Sequence, residues 1–281
     1  VAWRIGKVEL EKIRPVDISE ILRDVATGYD DNKPRPTLSN DLMRLLRNLF
    51  DHGIKLDVTR FNPASPFRPR DAGGEEKAAN YPMTEPEVIE FFNKLRVIPA
   101  QFSRENYLAC ALLIATCTRK TELLAAPWSE FDLESRIWYL PEERTKKRRA
   151  IDIPLAEPAV EWLNELKVRS CGSDWVFPAR RISKKERTPH VCENTLNHAL
   201  KKLFEKKLFS FDKRRVHDLR GTARTKLGKL GFDDNLAQRC LNQLPGNRTD
   251  RVYNKHAYFE ERREAHEALC EWLAPIVRGE V

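Results

Sequence analysis

Apolar residues recur at helical spacing near the start of the chain. Leu42, Leu45, Leu46, Leu49 and Phe50 follow the i, i+3, i+4, i+7, i+8 pattern of one helix face, and Gly53 supplies a stop. A weaker repeat runs from Ile18 to Val25, so residues 1–62 are expected to form a small helical domain. The next stretch, Asn62-Pro63-Ala64-Ser65-Pro66-Phe67-Arg68-Pro69-Arg70 with Gly73 and Gly74 behind it, cannot continue a helix and reads as part of an extended linker over residues 63–83. A second domain, residues 84–281, opens at Thr84-Glu85-Pro86-Glu87. At that spacing a threonine hydroxyl and a glutamate carboxylate satisfy orphan helix amides reciprocally.

Within the second domain, Leu108 to Ala115 is apolar on all sides, as expected of a helix at the centre of a core. Arg136 to Leu140 and Ala150 to Ile153 are β-prone and flank the polar stretch Glu142 to Arg149, which predicts a hairpin carrying a basic turn. Leu196, Leu200 and Leu203 mark an amphipathic helix with Lys201 and Lys202 beside the stripe, and Asp234 to Leu241 predicts another helix. Ala265, Leu269, Trp272, Leu273 and Ile276 form an apolar stripe on a last helix. The expected fold class is mainly α with a small antiparallel β-sheet.

Composition narrows the reading. With 281 residues, 41% hydrophobic and 33% charged, the chain suits two ordinary globular domains and is neither disordered nor fibrous by composition. Its longest apolar run, Tyr107 to Cys117, falls short of the roughly 18 residues that a membrane-spanning helix needs. Six cysteines without a C-x-x-C pair argue against a zinc site and a disulfide framework and point to a reducing compartment. No signal-like segment follows Val1, so the chain reads as part of a longer cytoplasmic protein.

Charge changes the picture further. Residues 1–80 hold 14 Lys and Arg against 13 Asp and Glu, whereas residues 180–215 hold 12 against 4, a surplus equal to the whole chain's +8. A second basic run spans Arg144 to Arg149, with Lys146, Lys147 and Arg148 at its middle. Clustered cations of this kind are the electrostatic footprint of a polyphosphate partner, DNA or RNA, although a solvated lysine-rich helix face produces the same count.

Four short segments carry the candidate chemistry. Thr118-Arg119-Lys120-Thr121-Glu122 falls where the apolar helix ends and another begins, placing Arg119 in a first helical turn. Thr145-Lys146 lies on the hairpin turn. In Val216-His217-Asp218-Leu219-Arg220, His217 and Arg220 share one helix face at i, i+3. Val252-Tyr253-Asn254-Lys255-His256 brings a tyrosine near the end of the chain. Singly, each has an ordinary structural explanation: an ion-paired arginine, an exposed turn lysine, a capping histidine, a core tyrosine.

In this order, and with Trp128-Ser129-Glu130-Phe131-Asp132 and Glu260-Glu261-Arg262-Arg263-Glu264 between and after them, the segments resemble the tyrosine recombinase family, and within it the integrases of prophages and genomic islands. The resemblance implies a two-domain DNA clamp, with a core-binding domain before the linker, a catalytic domain after it and no amino-terminal arm-binding domain. It implies an enzyme that cleaves and rejoins DNA at specific sites through a 3′-phosphotyrosine, integrating or excising a mobile element without metal or cofactor. A phenol can store the broken phosphodiester as an ester of similar energy. Forked guanidiniums at Arg119 and Arg220 can hold the charge of the pentacoordinate transition state, because they stay protonated at any working pH.

The resemblance assigns the leaving-group proton to Lys146, and Glu122 to the support of the site. His217 would accept the phenolic proton or hydrogen-bond a phosphoryl oxygen. Tyr253 is the nucleophile, with Tyr258 as its competitor. One position departs from the family wording: Leu241-Asn242-Gln243 stands where relatives usually carry a histidine, and Gln243 can still donate a hydrogen bond although it cannot be cationic. DNA contacts are expected from Arg60, Arg68, Arg70, Lys147, Arg148, Lys201, Lys202, Lys213, Arg214 and Arg215. The implied partners are double-stranded attachment-site DNA, a homotetramer on paired sites formed from monomers, an excisionase and a host DNA-bending protein. The implied place of action is the bacterial nucleoid. In relatives the last helix docks on a neighbouring protomer, although its stripe can also pack at home. Two alternatives stay open: a type IB topoisomerase-like enzyme, and a catalytically impaired DNA-binding relative.

Overall fold

The computed structural model describes residues 2–29, 33–75, 81–179, 189–243 and 258–281. The chain divides into two compact units, residues 1–79 and 80–281.

The first unit contains α1 (Ala2–Ile5), α2 (Pro15–Thr27) and α3 (Pro36–Lys55). Proline opens α2 and α3 at the position where a missing N–H costs nothing. Ile18 and Leu22 of α2 pack with Met43, Leu46 and Phe50 of α3. The inward face of α3 differs from the expected stripe, because Leu45 and Leu49 are 62% and 56% exposed while Ser39, Asn40 and Met43 turn inward. The polar pair is buried because each member finds a backbone partner. Ser39 Oγ donates to the Leu22 carbonyl at 2.8 Å, and the Asn40 carboxamide donates to the Gly74 carbonyl and accepts from Gly73 N–H, at 2.9 and 2.8 Å.

The proline-rich stretch expected to be extended linker instead folds against α3. Asn62 donates to the Arg47 carbonyl at 3.0 Å and to Asp51 at 2.6 Å, and accepts from the Ala64 N–H at 2.9 Å, so that Ala64 is fully buried. Proline fixes φ at a value shared by turns and extended chain, and the asparagines decide between them. Gly73 is required by contact, since a Cβ there would lie 1.8 Å from the Pro36 carbonyl oxygen. Gly73→Ala is expected to destabilise this unit by about 1–3 kcal/mol, seen as a lowered thermal transition. An unchanged transition would contradict the close approach.

In the second unit, α4 (Glu85–Arg96) starts as expected, with the Thr84 N–H donating to Glu87 at 2.7 Å. α5 (Arg104–Ala115) is buried without a break from Tyr107 to Ala115 and packs on α7 (Glu157–Arg169), α9 (Val216–Lys229) and α11 (Phe259–Arg278). Shorter helices are α6 (Lys120–Leu124), α8 (Thr195–Glu205) and α10 (Asp234–Cys240). The predicted hairpin is the antiparallel pair β2 (Ile137–Leu140) and β3 (Ile151–Pro154), in register Trp138 to Ile153, with β1 (Phe131–Asp132) on the other side of β2. Trp138 is fully buried, stacks on Phe131 and donates its indole N–H to Glu130 at 2.9 Å.

The stripe on α11 takes its home position: Ala265, Leu269, Leu273 and Ile276 are buried in this chain's own core. His266 on the same helix is buried, its Nδ1–H donates to the Ala115 carbonyl at 2.8 Å, and burial pushes its pKa down to about 4. The native ring stays neutral where an unfolded one takes up a proton, so stability is lost as pH falls from about 6.5 towards 4. The loss expected from this group is on the order of 3 kcal/mol. It should appear as a steeper fall in denaturant stability for the natural chain than for His266→Gln across that window; parallel curves would refute it.

Candidate active site

The site is assembled where helices end. α5 closes at Cys117, which adopts a left-handed conformation (φ 54°), and the chain turns into Arg119, the residue before α6. The Arg119 N–H and Nη1 both donate to the Glu122 carboxylate at 2.7 Å. Glu122 is 2% exposed and Arg119 17%, so a buried acid aims a guanidinium whose outer edge stays open.

Arg220 lies on α9, 4% exposed, and donates through Nη1 to the Cys117 carbonyl and through Nη2 to the Leu241 carbonyl. It thereby joins the end of α5 to the end of α10, where Asn242 takes a second left-handed turn (φ 48°). Burial, and then the charge of Arg119, bring its pKa down to about 10, so it remains a cation at neutral pH. Nε and one N–H on each Nη are left for another acceptor. Two neighbouring guanidiniums held together in this way form a place where an anion is favoured.

His217 sits on the exposed side of α9. Desolvation first, and Arg220 second, depress its pKa, which keeps the imidazole neutral at pH 7 and able to accept a proton. Lys146 projects from the β2–β3 turn. Thr145 ahead of it is buried, donates Oγ–H to the Glu142 carbonyl at 3.1 Å and accepts from the Arg149 N–H at 2.7 Å. Arg119, Lys146 and His217 line one cavity of about 520 Å³, with Lys201, Lys213 and Arg215 also on its walls. Sequence reasoning missed Asn197 and His198 on the same wall. Their place one turn before Lys201 on α8 was the available signal.

The remaining expected residues fall as follows. Gln243 is half-buried just past α10, its N–H donating to the Gln238 carbonyl at 2.8 Å. Tyr253 lies outside the described residues. Tyr258 precedes α11 with the Arg239 guanidinium 4.0 Å over its ring. Lys147, Arg148, Lys202, Lys213 and Arg215 are exposed, whereas the Arg214 guanidinium is engaged by Glu87 at 2.6 Å and by the Asp212 carbonyl. Arg60, Arg68 and Arg70 are exposed on the first unit, and Arg68 donates to the Ser65 and Phe67 carbonyls. Among the described residues no cluster of three or more His, Cys, Asp or Glu could hold a metal ion, and no helix is long and apolar enough to cross a membrane.

The chain is similar over 202 residues to the prophage integrase IntA of Escherichia coli K12, at 29% identity, covering 71% of this chain and 45% of that protein. It is also similar over 277 residues to the integrase of Shigella phage Sf6, at 25% identity, covering 98% of this chain and 67% of the phage protein. The chain thus spans about half to two thirds of the length of these curated relatives. Among solved structures, a lambda integrase (75–356) dimer bound to a COC′ core site superposes with a TM-score of 0.66 at 19% identity, over 90% of this chain and 86% of that one. The Tn1549 transposon integrase in complex with circular intermediate DNA gives 0.66 at 18% identity, over 93% and 87%. These likenesses show the fold. The model of the phage integrase family matches residues 83–260, which contain the whole cavity and both guanidiniums, and the chain belongs to that family.

Proposed function

We propose that this chain is the DNA-clasping and catalytic part of a site-specific tyrosine recombinase, which breaks and rejoins DNA through a 3′-phosphotyrosine to integrate or excise a mobile element. The observation that carries the reading is the convergence of Arg119, Lys146 and His217, from three distant stretches, on one cavity with the buried cation Arg220 coupled to it. In this reading Arg119 and Arg220 hold the non-bridging oxygens of the reacting phosphate, and Glu122 keeps Arg119 aimed. Neutral His217 takes the phenolic proton or donates to a phosphoryl oxygen, and Lys146 protonates the departing 5′-oxygen. Tyr253 forms the ester, and Gln243 supplies a neutral donor where relatives usually carry an imidazole.

The substrate is duplex DNA at attachment sites, approached through Lys147, Arg148, Lys201, Lys202, Lys213 and Arg215, with Arg60, Arg68 and Arg70 adding contacts from the first unit. Binding should therefore weaken steeply with salt. One solved relative is a lambda integrase tetramer bound to a Holliday junction. That supports a homotetramer on paired sites for this chain as well. The test is covalent capture: a duplex nicked next to the cleavage position should accumulate a protein–DNA adduct, and a binding protein without catalysis would leave none. Relaxation of supercoiled DNA by isolated protomers, with no strand exchange, would instead favour a topoisomerase.

A further inference from the structure

The β2–β3 turn that bears Lys146 is shaped from within by Thr145, whose two hydrogen bonds run to Glu142 and Arg149 of the same turn. Those bonds close the turn but attach it to nothing else. Asn242 reaches the Arg149 carbonyl at 3.3 Å and tethers its far side to the end of α10. The tie to α6 is Arg144. Its Nη1 donates to the Ala125 carbonyl and its Nη2 to the Glu122 carbonyl, while Nε faces Glu130 Oε1 in an ion pair of 3.1 Å. The other Glu130 oxygen accepts the Trp138 indole N–H at 2.9 Å. One guanidinium thus fastens the chain two residues before Lys146 to the helix that Arg119 caps, and through Glu130 to the central strand. Glu122, whose carbonyl it grips, is the residue whose carboxylate holds Arg119.

We propose that Arg144 is a positioning residue that sets the Lys146 ammonium against the phosphate held by Arg119. The proposal rests on the recombinase reading above and adds a residue to it. The Arg144 guanidinium is turned onto two backbone carbonyls and the Glu130 carboxylate, and Arg144 is not among the residues that line the cavity. Its effect on cleavage is therefore expected through the proton supplied by Lys146 or through the charge held by Arg119. Lysine in its place keeps the charge but cannot span two carbonyls and a carboxylate, because it lacks the planar fork.

The two routes separate by leaving group. In ordinary cleavage the phenolic oxygen bonds to phosphorus, the bond from phosphorus to the 5′-oxygen breaks, and the leaving alkoxide takes a proton from Lys146. With sulfur in place of that bridging oxygen the departing thiolate needs no proton, so a defect confined to proton donation disappears. A defect in holding the phosphoryl oxygens persists on both substrates.

The experiment measures single-turnover cleavage of nicked duplexes carrying the attachment sequence, read from the junctions of the element, with either oxygen or sulfur at the bridging position. Arg144→Lys is expected to cleave the oxygen duplex about 10²-fold slower than the natural chain and the sulfur duplex within a few-fold of it. Lys146→Ala should behave alike, and Arg119→Ala should stay slow on both. The ratio of the two rates is taken within one preparation, so any unfolded fraction cancels. Glu130→Gln, which keeps a partner for Trp138 and weakens only the ion pair, should shift the ratio in the same direction by less. Equal slowing of Arg144→Lys on both duplexes, or no slowing on either, overturns the positioning role alone. Failure of the natural chain to form an adduct on either duplex overturns the recombinase reading with it.

Discussion

Tyr253→Phe is expected to lose covalent capture of nicked DNA outright, a fall of at least about 10⁴-fold in cleavage, while gel-shift binding of the same duplex persists. The substitution removes one oxygen atom, the one that forms the ester, and leaves the apolar ring and the cationic surface in place. Tyr258→Phe is the matched control. Its ring lies beneath Arg239 at the start of α11 and is not among the cavity-lining groups, so adduct formation should survive. An adduct that survives Tyr253→Phe and vanishes in Tyr258→Phe would move the nucleophile by five residues and leave the rest of the chemistry standing.

Arg220→Lys comes next in size, and it should act in two ways at once. Loss of a forked donor from the transition state costs on the order of 10²- to 10³-fold in cleavage rate. The Cys117 and Leu241 carbonyls also lose the two donors that join the ends of α5 and α10, and a buried carbonyl without a partner costs about 1–3 kcal/mol. Thermal melting and single-turnover cleavage together read the two effects. A variant that melts earlier but cleaves at the natural rate would make Arg220 a structural clasp and remove it from the phosphate. Arg119→Lys provides the contrast: its guanidinium is more open and its partners belong to a single residue, Glu122, so the rate should fall with a smaller loss of stability.

These variants bear on a feature that local sequence could not show. Two arginines are held near each other, one buried and one at the mouth, and the pKa of Arg220 is depressed first by its burial and then by the charge of Arg119. The fold supports that arrangement because the neutral dipoles of two helix ends, rather than a second carboxylate, satisfy Arg220. A carboxylate there would already occupy the place of the phosphate.

The elements legible in the sequence are those governed by short-range rules. Thr84 and Glu87 lie one helical turn apart, so a capping box follows from spacing alone. The all-apolar run before Cys117 predicts a buried helix, and β-branched and aromatic residues on both sides of a polar turn predict a hairpin. Hydrophobic periodicity misplaces the stripe on α3 because it assumes that polar side chains face water. Ser39 and Asn40 turn inward, since their hydrogen-bond partners, at Leu22 and at Gly73 and Gly74, are supplied from elsewhere in the chain. The proline-rich stretch departs from expectation for the same reason, as its fate depends on Asn62 meeting Arg47 and Asp51.

By itself, then, the sequence determined which residues could carry the chemistry and in what order, because a nucleophile, a proton donor and forked cations are properties of side chains. The tertiary structure decided which of them meet. Arg119, Lys146 and His217 converge because α6, the β2–β3 turn and α9 pack around α5 and the small sheet, and Arg214, on the same cavity wall, has its guanidinium engaged by Glu87. It also set the α11 stripe into the core of the second unit and turned the Arg144 guanidinium onto the carbonyls of Ala125 and Glu122. Those outcomes depend on long-range contacts, which spacing along a chain does not encode until the backbone brings the partners together.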